Sequence, residues 1–566
     1  MIRLPRPSRP TLSRPKLSRP KLSRPKLSRP KLSRPRISAS TWRTPGGTLF
    51  VVVVLLLVGL GVALQVEPAQ SGTPTALPPA QRFVPVARAT AVCPDPVSDT
   101  TTATTVMLAA PGAIDDQTPE SRKADSGSAA LRPLGADGPT AAHLDEVSST
   151  GYTVPKSGSA QDASDSKADG QPMVATAAGA LAPGFTASMT TRSSSDDIRG
   201  LASTECAVPG NDFWFVGSGA VVGRRGRLYL SNPESVPAVV DVALYGPEGP
   251  IDAPGGRGVT LAAGAQQVLK LDALAPDVER FGVHVQVRQG RVAAALRDQQ
   301  VQGLTPLGAD WVPASHAPAH RLVLPGVPSG AGERRLQILD PGDSDAIVRV
   351  RLIAVDGSFV PSGLDVAEAR AGRVSDIDLA PFTGGQAVAV ELTSDQPITA
   401  GVLIRVGGVG KAKSEMAYTA AAEPVTAAAP GVVTDLRGSK AGVTVSSDLV
   451  LAAPGKGATV QIDVLPPAVG NSTSVTVPDG GQVTVDASTL SEDASFAVTL
   501  VPTKDSGPVM AARQLSVTDS SGPMLTQTLV TPARYAVRVP QVEADLPTGL
   551  RPRGAPARRV PGQDPR

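Results

Sequence analysis

The chain has 566 residues and a formal net charge of +3, but fourteen of its Lys and Arg residues lie in positions 1–45, which contain no Asp or Glu. The remainder therefore carries a net charge of −11, which excludes a general nucleic-acid-binding surface over the bulk of the protein. Gly and Pro make up about a fifth of the chain and aromatic residues only 3%, so frequent turns are favoured over long helices.

Positions 1–45 form a basic, proline-rich tail that we expect to be cytoplasmic. Residues 11–36 repeat the sequence LSRPK, and a proline at every fifth position prevents a continuous helix. The repeated positive charge favours an extended, solvated chain. Two roles stay open: contact with anionic lipid headgroups, or a topology determinant that grew by repeat expansion.

An apolar segment at 46–65 is predicted to be a transmembrane helix. Gly46 to Leu64 contains no charged residue, and about 20 such residues span a bilayer core of ~30 Å. Because the basic residues precede the segment, the N-terminus is predicted inside and the C-terminal region outside. A cleaved signal peptide is the alternative, but the sequence VALQ at its end offers no A-x-A cleavage site.

The region from 66 to 215 has uneven composition. Residues 66–86, rich in Pro, Ala and Gln, are predicted to be a stalk. Residues 87–215 are predicted to be a degenerate β domain. Within it, residues 113–171 are rich in Ser, Asp, Ala and Gly and lack periodicity, which predicts a disordered insertion.

An internal repeat follows at an offset of 108 residues. RLYLSNP from Arg227 matches RLQILDP from Arg335, and the stretch IVRVRL from Ile347 alternates apolar and basic residues as a half-buried strand does. The spacing predicts antiparallel, immunoglobulin-like β-sandwiches at 216–312, 313–419 and 420–540. A disordered tail is predicted at 541–566. The predicted fold class is therefore mainly β: tandem sandwiches behind one N-terminal transmembrane helix, with disordered tails.

These features together resemble a known family. The basic N-terminus, the single apolar segment, a Cys-Pro near the stalk and the motifs WFVG, RLYLSNP, DWVP and LVLPG look like an actinobacterial family of single-pass envelope proteins known as a domain of unknown function, DUF5719. The resemblance runs from about residue 87 to 535. It implies an extracytoplasmic location in a high-GC Gram-positive bacterium and brings no activity or catalytic residues.

The two cysteines, Cys93 and Cys206, are the candidate disulfide. They are the only cysteines, and the charge distribution places both outside the cytoplasm, where disulfides persist. The alternative is a pair of free, buried thiols that act as small hydrophobic residues.

Candidate binding and metal residues are few. Phe213, Trp214 and Phe215 could stack on sugar rings, but packing at a domain junction is the favoured interpretation. His316 and His320 flank Ala-Pro-Ala, which favours a loop over a metal site. The stretch DPGDSD from Asp340 resembles part of a calcium loop, although turn chemistry explains it better. We therefore expect no catalytic, cofactor or metal site.

The sequence favours a non-enzymatic function. We expect a membrane-anchored extracytoplasmic protein that scaffolds or binds another component of the cell envelope, with membrane lipid, an envelope protein or a glycan as partners and no nucleic acid. The alternative is an accessory subunit of an enzyme that makes or exports an envelope polymer. Gly59 and Gly61 provide a small-residue face for such a contact within the membrane. A hydrolase with dispersed carboxylates is a third hypothesis.

Overall fold

The computed structural model describes residues 82–96, 102–112, 126–135, 140–154, 171–193, 199–408, 413–434, 442–470 and 472–539. The predicted basic tail, the transmembrane segment at 46–65, most of the stalk and the tail at 541–566 lie outside these residues. Within the described ranges, no helix is long and apolar enough to cross a bilayer. The mainly β prediction is confirmed, since antiparallel strands dominate the described chain.

The first sandwich pairs two four-stranded sheets. Its strands are β2 (Arg88–Cys93), β3 (Thr102–Ala110), β4 (Gly127–Pro133), β5 (Ala142–Leu144), β6 (Ser148–Val154), β7 (Met173–Gly179), β8 (Thr186–Ser193) and β9 (Gly200–Glu205); a separate strand, β1 (Arg82–Pro85), precedes them. One sheet has the order β2-β7-β4-β5 and the other β6-β3-β8-β9. Their inner faces enclose a core built largely from alanine, leucine and methionine.

The second sandwich repeats this strand order. Its elements are β10 (Asp212–Val216), β11 (Arg224–Ser231), β12 (Ala238–Gly246), β13 (Gly249–Ile251), β14 (Val259–Leu261), β15 (Gln266–Lys270), α1 (Leu271–Leu274), β16 (Gly282–Gln289), β17 (Ala293–Gln302) and β18 (Thr305–Val312). The sheets are β10-β16-β12-β13, with β14 also on β12, and β15-β11-β17-β18.

The third sandwich has the same order with one difference. Its elements are β19 (Ala319–Val327), β20 (Arg334–Asp340), β21 (Ala346–Ala354), β22 (Gly357–Phe359), β23 (Val366–Ala369), β24 (Arg373–Asp378), α2 (Ala380–Thr383), β25 (Val388–Gly407) and β26 (Ser414–Ala420). The 20-residue β25 pairs with β19 and β21 in one sheet and continues into the other, where it pairs with β20 and β26. It therefore replaces two strands of the second sandwich.

The fourth sandwich closes the series. Its strands are β27 (Ala429–Thr434), β28 (Thr444–Ala452), β29 (Ala458–Val464), β30 (Thr473–Val477), β31 (Gln482–Asp486), β32 (Ser495–Pro502), β33 (Met510–Asp519) and β34 (Gly522–Val530). The sheets are β27-β32-β29-β30 and β31-β28-β33-β34, so all four sandwiches share one topology.

Alternating sequence explains the strands of the repeats. In β21, Val348, Val350 and Leu352 are buried, while Arg349 and Arg351 point to solvent. Successive side chains of a strand face opposite sides of a sheet, so this pattern buries one face.

Residues 113–171 differ from the expected disordered insertion. They contain β4, β5 and β6, and Ala129, Ala130 and Leu131 are buried in the first sandwich. The disorder prediction is wrong for these strands because the core there is filled by small residues, whose composition resembles that of a disordered segment.

Two predicted domain boundaries also differ from the structure. Residues 82–85 of the expected stalk form β1, and the FWF segment lies in β10 of the second sandwich rather than in the domain predicted to end at 215.

The four sandwiches contact one another in a closed cycle. Trp311 of the second packs into the core of the first, Tyr418 of the third into the core of the second, and Leu525 of the fourth into the core of the third. Leu201 of the first sandwich packs against Leu515 of the fourth. A two-stranded ladder of β1 with β35 (Ala536–Val539) brings the two ends of the described chain together.

Candidate functional site

The last strand of each sandwich meets the others at one place. Strands β9, β18, β26 and β34, which we call the four-strand junction, pack in the cyclic order β9–β18–β26–β34. Each is the edge strand of its own sheet and each follows a hairpin from the strand before it. An edge strand presents backbone N–H and C=O groups that no neighbouring strand pairs. The buried groups of these four strands therefore need other hydrogen-bond partners.

The four hairpins converge at one end of the junction. Arg199, just before β9, donates to the Asp519 carboxylate at 2.9 Å and to the Gly522 carbonyl at 2.6 Å. The Lys413 N–H donates to the Ser521 carbonyl at 2.8 Å, and the Arg405 guanidinium donates to the Leu307 carbonyl, also at 2.8 Å. The last strands therefore run in the same direction away from a common end.

Glu415 lies at the centre of the junction and is fully buried. Its carboxylate accepts the backbone N–H groups of Leu201 in the first sandwich, Ala309 in the second and its own neighbour Met416. Gly308 makes room for it, because a Cβ there would lie 2.5 Å from Glu415 Oε1. Burial raises the pKa of Glu415 to about 8, although the three N–H donors favour the ionised form and lower it.

Asp310 is the second carboxylate of the junction and is also fully buried. Its Oδ1 accepts the Thr526 hydroxyl at 2.9 Å and the Ser203 N–H at 3.3 Å, and the Arg513 guanidinium donates to the Ser203 hydroxyl at 3.0 Å. Burial raises the pKa of Asp310 well above its usual range, and the nearby Glu415 adds to this effect. The junction thus joins all four sandwiches through shared, buried polar groups.

These raised pKa values predict that the protein is less stable at alkaline pH. Glu415 holds a proton in the folded state up to about pH 8 but only up to about 4.5 when unfolded. Between these values the folded state binds more protons, so the free energy of unfolding falls as pH rises, by up to about 1.4 kcal/mol per pH unit for one group. Urea unfolding at about pH 5.5 and about pH 8.5 checks this.

The matched variant for this measurement is Glu415→Gln. It is expected to be less stable than the parent at every pH, because its amide NH₂ faces backbone donors, but to show a shallower dependence on pH. A parent protein whose stability rises over this pH range would contradict the assignment.

A second buried polar group joins the second and third sandwiches. Arg224 donates from Nε and Nη2 to the Asp298 carboxylate and from Nη2 to the Tyr418 hydroxyl at 2.8 Å. Tyr418 also donates to Asp298 at 2.5 Å, and the Ser218 hydroxyl donates to the same carboxylate. Burial and the neighbouring Asp298 both raise the pKa of Tyr418, so it stays protonated and able to donate.

The predicted disulfide is confirmed. Cys93 at the end of β2 is bonded to Cys206, which directly follows β9, across a sequence separation of 113 residues. Both are buried in the first sandwich, next to an isolated bridge between Val92 and Ala207. The bond joins the two sheets of the first sandwich where the chain leaves it, in the same hydrophobic cluster as Trp311.

The aromatic cluster nominated from the sequence lies on β10. Phe215 is buried in the second sandwich, and Phe213 packs partly against the same core. Trp214 points the other way, is 8% exposed and lies at the contact with the third sandwich. Its ring stacks on His284 with centroids 3.7 Å apart, and the Asp212 carboxylate accepts its Nε1–H. Neither Trp214 nor Phe215 offers a ring face to solvent.

The candidate metal residues are dispersed. His316 contacts the carbonyl of Ala317 and His320 that of Ser394, and both contacts are solvent-exposed. Asp340 accepts the Gly342 N–H at 2.8 Å as a turn residue. Among the described residues, no three or more His, Cys, Asp or Glu side chains come together as a metal site would require.

Comparison with protein families gives one finding. A family model described as a family of unknown function, DUF5719, matches residues 159–470, more than half of the chain. The chain belongs to the DUF5719 family. No curated protein and no solved structure matches it.

The DUF5719 match is narrower than the range of 87–535 expected from the motifs. It covers the second and third sandwiches completely, with strands β18 and β26, Glu415 and Asp310. Cys93 and Arg513 lie beyond it. Sequence reasoning missed both junction carboxylates. The available signal was an acidic residue inside the otherwise apolar stretches GADWV and SEMAYTA, each of which ends a copy of the repeat.

Proposed function

We propose that the protein is a non-enzymatic scaffold or binding protein of an actinobacterial cell envelope, anchored in the membrane by residues 46–65 with its β-sandwiches outside the cell. The buried four-strand junction carries this proposal. Its ionisable side chains, Asp310, Glu415 and Arg513, are at most 1% exposed, so they hold sandwiches together where no substrate reaches them. Such an arrangement suits a rigid platform better than a catalytic cleft.

The disulfide supports the extracytoplasmic part of the proposal. Disulfides persist in oxidising compartments and are rare in the cytosol. The charge distribution around residues 46–65 gives the same orientation independently, because the fourteen basic residues precede the segment.

Topology can be tested with two single-cysteine additions and a membrane-impermeant maleimide. Val469 is 84% exposed, so Val469→Cys is expected to react in intact cells. Ser18→Cys in the basic tail is expected to react only after the membrane is permeabilised, and it serves as the matched control. Labelling of Ser18→Cys but not of Val469→Cys in intact cells would show the opposite orientation and contradict the proposal.

The alternative role, an accessory subunit of an envelope-polymer enzyme, differs in its partner. Affinity purification from a detergent extract separates the two roles. Co-purification of an integral membrane enzyme favours the accessory subunit, whereas recovery of wall glycan or of non-catalytic envelope proteins favours the scaffold.

A further inference from the structure

The third sandwich has an open pocket at one end. The pocket lies between the β21–β22 hairpin and α2 and has a volume of about 360 Å³, within the range of roughly 300–1,000 Å³ typical of ligand sites. Its lining residues are Ala354, Asp356, Gly357, Ser358, Phe359, Phe382, Thr383, Gly384 and Gln386. Two of the nine phenylalanines of this aromatic-poor chain therefore line one small pocket.

The second sandwich provides an internal comparison, because up to the end of α2 residues 108 positions earlier occupy the same places. Phe359 pairs with Leu352 as Ile251 pairs with Leu244, and Phe382 corresponds to Leu274. In the second sandwich Ile251, Leu274 and Val278 pack partly buried against the core. In the third, Phe382 packs against the core in the same way, but Phe359 does not.

The substitutions between the two copies change the chemistry of this end in one direction. Ile251 and Leu274 correspond to the aromatic Phe359 and Phe382. The apolar Pro250 and Ala275 correspond to the polar residues Ser358 and Thr383. Phe359 is 39% exposed, so part of this residue is accessible to a ligand.

The polar groups of the pocket are available to a ligand. Within the part of the chain that the structure describes, the side chains of Asp356, Ser358 and Gln386 make no hydrogen bond. The loop that carries Gln386 is nevertheless held in place. The Gly385 carbonyl accepts the Gly330 N–H at 2.9 Å, and the Ala387 carbonyl accepts the Gln482 side chain of the fourth sandwich at 2.6 Å.

We propose that this pocket binds a neutral glycan unit. Aromatic rings offer flat apolar surface to the C–H face of a sugar, while a carboxylate, a hydroxyl and an amide can bind its hydroxyl groups. The lining contains no Arg or Lys, and Asp356 would repel phosphate, so an anionic ligand does not fit. This inference rests on the proposed function, because it names the ligand class of a binding protein in the envelope.

The experiment uses the full chain in a detergent without a sugar headgroup. Saturation-transfer NMR with cellohexaose, maltohexaose and mannohexaose is expected to show transfer to at least one of these oligosaccharides. The double variant Phe359→Ile/Phe382→Leu introduces the residues of the second sandwich. It is expected to remain folded, with a slightly lower midpoint of thermal unfolding because Phe382 packs against the core, and to weaken binding about tenfold or more through loss of both rings.

Two further variants make the result specific. Ile251→Val, at the matched position in the second sandwich, is expected to bind as the parent does. Gln386→Ala, at an exposed position, is expected to weaken binding several-fold without any change in stability. No transfer to any of the three oligosaccharides, or equal binding by the parent and the double variant, would overturn the glycan assignment. The maleimide experiment tests location separately and would stand in either case.

Discussion

Replacing Asp298 with alanine is expected to lower the free energy of unfolding by about 3–5 kcal/mol. Asp298 is fully buried and accepts hydrogen bonds from Arg224, Tyr418 and Ser218. Its removal leaves the Arg224 guanidinium buried without a counter-charge, and the cost of that desolvated charge dominates the effect. Urea unfolding measures it, and the contact between the second and third sandwiches is expected to loosen first.

Two controls separate burial from charge. Asp252 pairs with Arg257 at 2.8 Å on the surface, where both side chains are mostly exposed, so Asp252→Ala is expected to cost only about 0–1 kcal/mol. The double variant Arg224→Met/Asp298→Leu is expected to be more stable than Asp298→Ala alone, because it leaves no unpaired charge. Equal destabilisation by Asp298→Ala and Asp252→Ala would contradict the buried assignment.

Removing the disulfide has a similarly large expected effect. The Cys93–Cys206 bond spans 113 residues, and in the chain-entropy model a loop of this size contributes about 4–5 kcal/mol. The Cys93→Ala/Cys206→Ala variant keeps small apolar side chains in both places and so isolates the loss of the cross-link. Hydrogen exchange is expected to rise first in the two sheets of the first sandwich, with residues beyond Arg227 largely protected.

The same measurement on reduced parent protein is the control. Reduction is expected to reproduce the exchange pattern of the double variant, because both release the same link between β2 and the end of β9. Unfolding that stays the same after complete reduction would show that the bond contributes nothing to stability.

The local sequence pattern predicted the strands but not how the sandwiches assemble. The alternation of IVRVRL predicts β21 because one face of this strand is buried and the other is exposed to solvent. Strand β26 is buried at every position, so it has no alternation to read, and its partners come from other sandwiches more than a hundred residues away in sequence. A local pattern can mark Asp310 and Glu415 as unusual acidic residues, but it cannot show that their strands meet.

Composition gave a wrong prediction where the buried residues are small. Ala129 and Ala130 are small core residues of the first sandwich, so the composition of the segment resembles that of a disordered insertion. The disulfide was predictable for a different reason, since the chain has only two cysteines and both were expected to lie outside the cytoplasm, where disulfides persist. The pocket of the third sandwich could not be predicted from the sequence. The repeat shows which residues of the two copies correspond, but only the structure shows that these residues lie together at one end of a sandwich.

The ladder of β1 with β35 determines how the molecule would carry tension. Arg82 pairs with Val539 and Pro85 with Ala536, so the chain enters and leaves at the same end of a four-residue antiparallel ladder. A load applied between the preceding and following segments would peel these backbone hydrogen bonds one after another, as in a zipper, rather than shear them together. The ladder would therefore open at low force, and the load would reach the sandwiches behind it only after these few backbone hydrogen bonds had broken.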